Sequence, residues 1–283
     1  MSASTCTLLF SHRADGRTVL EQHDVSPPFA VLGSFHLDPG APGLCTVVLQ
    51  STGGPLRPGD ELDLRVVAGP GAQCLVTLQA APLVHAGEHA ARSSISVVAA
   101  ARAWCEVISP TTLLAPGALL RNEITVDPDA DSVVLVTDAY APASLRDNRY
   151  RLDSSTTVRR DGRLLAADRL VLDTCDDTAS SAGVLGPNRA HGALWILGRD
   201  LVLDDVDVAQ GALPNAAGRV VRTVGADGAV VSAALASAWR AVRAAGLGVE
   251  VSSRLGSVGR TSCEVRSTAP ASPHGSLELG RAG

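Results

Sequence analysis

Two histidines, His85 and His89, stand four residues apart, the spacing that places two metal ligands on one face of a helix. Gly87 lies between them and a strand-like segment precedes them, which argues against a helix at this point. No partner ligand is apparent nearby. The simpler interpretation is a pair of loop histidines, and a metal site at His85 and His89 stays as an alternative.

Carboxylates are the second group that could do chemistry. They fall within strand-like segments or at their ends, at Asp60, Glu106, Glu123 and Asp138. Each could be a satisfied turn or face residue. Alternatively, some of them line an interior polar passage, because a divalent ion such as nickel can move among carboxylate, amide and hydroxyl oxygens that bind it weakly. The sequence contains no HExxH, GxSxG, P-loop or GxGxxG motif, so nothing predicts an enzyme.

The segment 51–81 must position several of these groups. Residues 61–66 alternate polar and apolar types, as in a strand with one wet face, and residues 73–79 alternate in the same way. The Gly-Pro-Gly sequence at 69–71 reverses the chain between them, so we predict a β-hairpin. The ends of this hairpin carry three polar residues: Asp60, Thr77 and Gln79.

Short strand-like segments continue at intervals of about ten residues up to about residue 203, which predicts an all-β fold. One helix is predicted at about 230–245. Its apolar face comprises Val231, Leu235, Ala238 and Val242. Arg240 and Arg243 are expected off this face, and Gly246 is the expected stop. The fold class is therefore mainly β with one or two short helices.

Composition excludes several classes of protein. The net charge is −5 and no basic run occurs, so the electrostatic footprint of a nucleic-acid binder is missing. No apolar stretch approaches about 18 residues and no signal peptide is visible, which predicts a cytoplasmic protein without a membrane segment. The six cysteines form no C-x-x-C pair and are expected to be reduced thiols. We predict a single domain over residues 1–266 and a disordered tail over 267–283, where apolar residues are few.

Three stretches resemble one known family. The order GG-x-L-x-x-GD, an alternating strand, a glycine turn and a closing T-x-Q-A-A resembles the core signature of the urease accessory family UreD, also called UreH. The run AWCEVISPTTLLAPGA resembles the second signature of that family, and the Trp239-Arg240-x-x-Arg243 spacing resembles its carboxy-terminal third. The resemblance covers about residues 20–250. Its structural motif residues here are Gly53, Gly54, Gly59 and Pro110.

The resemblance implies a non-enzymatic scaffold of stacked, helically coiled β-sheets. UreD-like proteins bind apo-urease and UreF, and act with the GTPase UreG, through UreF, to insert nickel into urease. An internal tunnel is the proposed route of the metal. Nickel would be transient cargo rather than a tightly bound cofactor. The residues predicted to line a metal passage are Asp60, Thr77, Gln79, Glu106 and Asp138.

Two other functions remain open from the sequence. The first is a stand-alone β-domain that binds a metal or another ligand through His85 and His89. The second is a diverged UreD-like scaffold that no longer delivers nickel, because residues 137–142 read Thr-Asp-Ala-Tyr-Ala-Pro where the family tends to have Gly-Arg and Gly-Glu pairs.

Overall fold

The residues that the structure describes form two β-sheets and one α-helix. The computed structural model describes residues 3–144, 146–147, 149–176, 178–201, 203 and 208–251. The tail predicted at 267–283 and Cys263 lie outside these described residues.

The first sheet has seven strands. In spatial order they are β14 (Arg163–Asp173), β13 (Tyr150–Arg160), β11 (Ala118–Pro128), β8 (Ala91–Ala99), β5 (Glu61–Ala68), β1 (Ala3–His12) and β2 (Thr18–Val25).

The second sheet has ten strands. In spatial order eight of them are β16 (Ala209–Ala212), β17 (Gly218–Gly225), β15 (Ala190–Gly198), β12 (Val133–Pro142), β9 (Trp104–Ile108), β6 (Gln73–Leu78), β4 (Cys45–Ser51) and β3 (Phe29–Phe35). The short strand β10 (Thr112–Leu114) pairs with β12, and β7 (Leu83–Val84) pairs with β10.

The middle of the chain winds as a coil between the two sheets. Strands β5, β8, β11 and β13 enter the seven-stranded sheet, while β4, β6, β9 and β12 enter the ten-stranded sheet. Neighbouring strands of this coil run parallel in both sheets. Each turn of the coil therefore adds one strand to each sheet. The architecture confirms the predicted all-β fold of stacked, coiled sheets.

Antiparallel strands cover both ends of the coil. At the amino-terminal end β2 pairs antiparallel with β1, and β3 with β4. At the other end β14 pairs antiparallel with β13, and β15 with β12. An uncovered strand edge exposes unpaired N–H and C=O groups that template aggregation, and these pairings satisfy the edges of the parallel core.

The predicted hairpin between β5 and β6 is wrong. The two strands lie in different sheets, and the glycine turn is an arc, a loop that carries the chain from one sheet to the other. Gly69 donates its N–H to the carbonyl oxygen of Phe10, and Gly71 donates its N–H to that of Ala101. Strand β6 is buried on both faces, because it lies between β4 and β9 and beneath a second layer. The same local sequence suits a hairpin or an arc, and only the distant partner strands decide between them.

The helix α1 (Gly228–Leu247) covers the outer face of the ten-stranded sheet. The side chain of Asp227 caps its first turn by accepting from the N–H groups of Ala229 and Val230. The predicted apolar face is confirmed, since all four of its residues are buried in the core cluster beneath the helix: Val231, Leu235, Ala238 and Val242.

Two details of the helix prediction are wrong. The helix ends at Gly248, whose φ of 69° is left-handed, rather than at Gly246. Gly246 instead allows close packing, because a Cβ there would lie 2.4 Å from the ring of Trp104. Arg243 was expected off the apolar face but is completely buried within it. Its positive charge is tolerated because buried carboxylates form ion pairs with it.

Candidate functional site

The five predicted passage residues lie in three different places. Side chains alternate between the two faces of a strand. On β12, Val134 and Val136 join the core between the sheets, and Asp138 shares their face. On β9, Trp104 and Ile108 pack into the core under α1, and the side chain of Glu106 lies on the same face of the strand. Asp138 and Glu106 therefore lie on opposite faces of the ten-stranded sheet.

Glu106 belongs to a sealed cluster that holds the helix. Its Oε1 accepts from Trp104 Nε1 at 2.5 Å and from Arg243 Nε at 2.8 Å. Its Oε2 accepts from Trp239 Nε1 at 2.8 Å and from Arg243 Nη2 at 2.9 Å. Arg243 Nη1 also donates to Asp38. A role for Glu106 in metal passage stays a prediction, and these contacts give it a structural role in docking α1.

Asp138 lies in a polar cluster between the sheets. The side chain of Ser154 on β13 donates to its Oδ2 at 3.0 Å, and Asn122 Nδ2 on β11 approaches its Oδ1 at 3.4 Å. The hydroxyl of Tyr140 donates to Ser154 Oγ at 3.2 Å. Asp138 is 7% exposed. Burial raises the pKa of its carboxyl, and the hydroxyls of Tyr140 and Ser154 and the charge of Arg222 offset part of that rise.

This cluster continues as a row along the seven-stranded sheet. Successive strands place Ser4 opposite Leu62, Leu62 opposite Ser93, Ser93 opposite Asn122, and Asn122 opposite Ser154. Residues at matching positions of neighbouring strands face the same side of a sheet. We call this set the inter-sheet polar layer: Ser4, Ser93, Asn122, Ser154, Asp138 and Tyr140.

Asp60 and Gln79 lie where this layer begins. Gln79 lines a groove whose walls include Leu49, Leu62 and Leu78. Asp60 lines an adjoining pocket with Ser4 and Leu62, and accepts the N–H of Arg57 at 2.9 Å. Leu49 and Leu78 pack into the core between the sheets, so the groove opens at the end of the inter-sheet space. We call this groove and pocket the mouth.

The glycines of the predicted motif shape the loop that borders the mouth. Gly54 and Gly59 have φ values of 74° and 80°, which favour glycine. Gly53 packs against Pro28, since a Cβ there would lie 2.6 Å from the ring. Pro110 is buried just after β9. The motif therefore fixes the backbone beside Asp60.

Thr77 lies on the face of β6 that is turned away from the layer. It alternates with Cys74 and Val76, which face the core between the sheets, and it is almost fully buried. Its Oγ1 has no hydrogen-bond partner among the described residues. Asp60 and Gln79 thus border the mouth, Asp138 is buried between the sheets, and Thr77 and Glu106 lie on the other side of the ten-stranded sheet.

The alternative metal residues are exposed. His85 and His89 lie in the loop between β7 and β8 rather than on a helix. Across the described ranges, no group of three or more His, Cys, Asp and Glu side chains is arranged to hold a metal ion. No helix in the part of the chain that the structure covers is long and apolar enough to cross a membrane.

Sequence reasoning missed Asn122, Tyr140 and Ser154. A signal for Asn122 was available, because it falls on the apolar side of an alternating strand, between Leu120 and Ile124. A polar residue at such a position needs a buried partner. No comparable signal marks Ser154, whose strand is rich in small polar residues on both faces.

Comparison with known proteins gives a consistent result. A family model described as UreD urease accessory protein matches residues 2–256. The chain is 32% identical over 259 residues to urease accessory protein UreD 1 of Pseudomonas syringae, which covers 84% of this chain and 90% of the relative. It is 33% identical over 254 residues to urease accessory protein UreD 1 of Methylorubrum extorquens, covering 83% and 86%. An archaeal relative, urease accessory protein UreD of Haloarcula marismortui, is 30% identical over 252 residues, covering 82% and 83%.

Proposed function

Because this chain belongs to the UreD family of urease accessory proteins and so has a role in urease maturation, we propose that it acts there as a non-enzymatic scaffold. In this proposal it works in the cytoplasm, binds apo-urease and UreF, and receives nickel from UreG through UreF. Nickel is cargo that passes through the protein. The observation that supports the proposal best is the inter-sheet polar layer that leads from the mouth to Asp138.

The chemistry of the layer suits transit of a divalent ion. Its donors are hydroxyl, amide and carboxylate oxygens, which bind nickel more weakly than a closed set of imidazoles or thiolates. Asp138 is the one carboxylate of the layer, and burial disfavours its charged form. A passing cation would offset that cost at this point.

The first prediction concerns Asp138. We expect Asp138→Asn to preserve binding to UreF and urease but to lower the nickel content and activity of co-expressed urease about tenfold, the scale seen when groups that tune a metal site are changed. The amide keeps the shape and the contact with Ser154 while removing the charge. Co-purification, metal analysis and urease assays measure the three quantities.

Asp63→Asn is the matched control, because Asp63 is an exposed aspartate on the outer face of the seven-stranded sheet, away from the layer. It should leave nickel content unchanged. Normal urease activity with Asp138→Asn would exclude Asp138 from the route. If the wild-type chain does not bind UreF, the proposed scaffold role itself is contradicted.

The second prediction concerns the mouth. We expect Asp60→Ala combined with Gln79→Ala to slow nickel delivery several-fold, because both polar groups border the opening of the layer. The measurement is the rate of urease activation at limiting nickel. The control is Gln22→Ala with Asp24→Ala, an exposed pair of the same residue types on β2. Equal activation rates for the two double variants would contradict a role for the mouth.

A further inference from the structure

The outermost strand of the seven-stranded sheet has an unpaired edge. Among the described residues, β14 has a neighbouring strand on one side only, and that strand is β13. Successive residues of an antiparallel strand point their N–H and C=O groups to alternate sides. Thr174, just after β14, donates its N–H to the carbonyl of Tyr150 on β13. The alternate residues whose backbone groups therefore point away from β13 are Ala167, Arg169, Val171 and Asp173.

The carboxy-terminal half of this edge is less protected than the other sheet edges. Strand β3 has a bulge, β16 has only 4 residues, and the exposed residues 21–24 of β2 are all polar. On β14 itself, Asn215 donates to the carbonyl of Leu165 and closes the amino-terminal half. Natural proteins protect strand edges in these ways. No bulge interrupts residues 166–173, and Val171 there is 60% exposed, more than any other large apolar side chain of the described residues.

The unprotected half is complementary to itself. Two copies related by a two-fold axis bring the same strand together in antiparallel orientation. With the axis at Val171, the two Val171 residues lie opposite each other and exchange backbone hydrogen bonds. Each Arg169 then lies opposite Asp173 of the second copy. On the inner face, each Leu170 lies opposite Leu172 of the second copy.

The charges on the outer face specify this register. An axis at Arg169 would place two arginines opposite each other, and an axis at Leu170 would place Arg169 and Asp173 opposite uncharged residues. Opposite charges on neighbouring strands stabilise a sheet, and like charges directly opposite destabilise it. Within one chain Arg169 meets Asp153 at 2.8 Å, and Arg151 meets Asp173 at 2.6 Å. Pairing at Val171 joins these ion pairs into networks in which arginine and aspartate alternate across the interface.

We propose that two copies of this chain pair through the carboxy-terminal half of β14, in the antiparallel register that has Val171 on the two-fold axis. The two seven-stranded sheets then form one continuous sheet. Each copy contributes one strand edge, and small interfaces are typical of weak, reversible complexes. The dimer therefore forms and dissociates with protein concentration. This interaction surface is independent of nickel delivery and of the partners in urease maturation.

Sedimentation of the purified full-length chain over a concentration series tests the dimer. We expect Val171→Lys to weaken dimerisation about tenfold or more, because it places two like charges opposite each other on the axis. The matched control is Val224→Lys, which changes a valine of β17 that is 41% exposed. This control should dimerise as the wild-type chain does. Circular dichroism checks that both variants are folded.

Disulfide trapping tests the register without the lysine variant. Opposite Cα atoms of a hydrogen-bonded antiparallel pair are about 5.5 Å apart, which a disulfide can span. In a background with Cys175→Ser and Cys263→Ser, the remaining native cysteines are buried. Val171→Cys should then form a linked dimer on mild oxidation. Arg169→Cys should not link to itself, but should link to Asp173→Cys when the two variants are mixed.

Several results would overturn the inference. One is a wild-type chain that stays monomeric throughout the concentration series. Another is a Val171→Lys variant that dimerises as tightly as Val224→Lys. Trapping of Arg169→Cys with itself, without trapping of Val171→Cys, would reject the register. Linkage of Val171→Cys only to a different polypeptide in intact cells would assign this edge to another partner.

Discussion

Arg243→Met is expected to lower the free energy of unfolding by about 3–5 kcal/mol, the range for removing one partner of a buried ion pair. The guanidinium is fully buried and contacts two carboxylates, Glu106 and Asp38, which are buried as well. Methionine fills much of the space but leaves both carboxylates without their cation. Urea denaturation followed by circular dichroism measures the change.

The same helix offers a matched control. Arg240→Met alters the exposed face of the same helix and should change stability by no more than about 0.5 kcal/mol. Adding Glu106→Gln to Arg243→Met should recover part of the loss, because it removes one of the two stranded charges. A stability of Arg243→Met equal to that of Arg240→Met would show that the cluster does not hold α1.

Gly218→Ala is expected to cost about 3 kcal/mol or more, or to prevent folding, because it combines backbone strain with a steric clash. Gly218 begins β17 with a φ of 128°, a region that side chains rarely adopt. A Cβ there would lie 2.1 Å from the carbonyl oxygen of Ile196 and 2.9 Å from the Cα of Leu197. Both contacts are backbone atoms of the neighbouring strand, which cannot move without breaking the pairing.

Gly211→Ala provides the comparison within the adjoining strand β16. No atom lies within 4 Å of the Cβ position at Gly211, so we expect a change of about 0.5 kcal/mol or less. Thermal or urea unfolding of the two variants gives the difference. A small effect at Gly218 would mean that the first residue of β17 relaxes freely and is not held by its neighbours.

The strands and the apolar face of the helix could be predicted because their periods are local. Strand β5 (Glu61–Ala68) contains the alternating residues 61–66, and β6 (Gln73–Leu78) covers all but the last of residues 73–79. Pairing between strands could not be predicted. The partners of β6 are β4 and β9, and nothing within residues 73–79 specifies them. Parallel coils are held by contacts between segments that are far apart along the chain.

The candidate site shows the same limit of prediction from local sequence. The sequence identifies Glu106 and Asp138 as carboxylates in apolar strands, but both faces of those strands are buried, so alternation cannot say which face meets the other sheet. Arg243 was expected near solvent because arginine is rarely buried without partners. Its partners lie 137 and 205 residues earlier, at Glu106 and Asp38. Only the folded chain brings such groups together.

The number of turns in the coil also determines how long the inter-sheet space is. Each turn contacts mainly the turn before and the turn after, as in repeat proteins whose stability is a sum over neighbours. Four strand spacings separate β6, beside the mouth, from β17, near the opposite end of the ten-stranded sheet, which at about 4.8 Å each gives a separation of roughly 19 Å. Inserting or removing one complete turn would change this distance by a single spacing while keeping both ends intact. The number of turns therefore sets the distance between the two ends of the inter-sheet space.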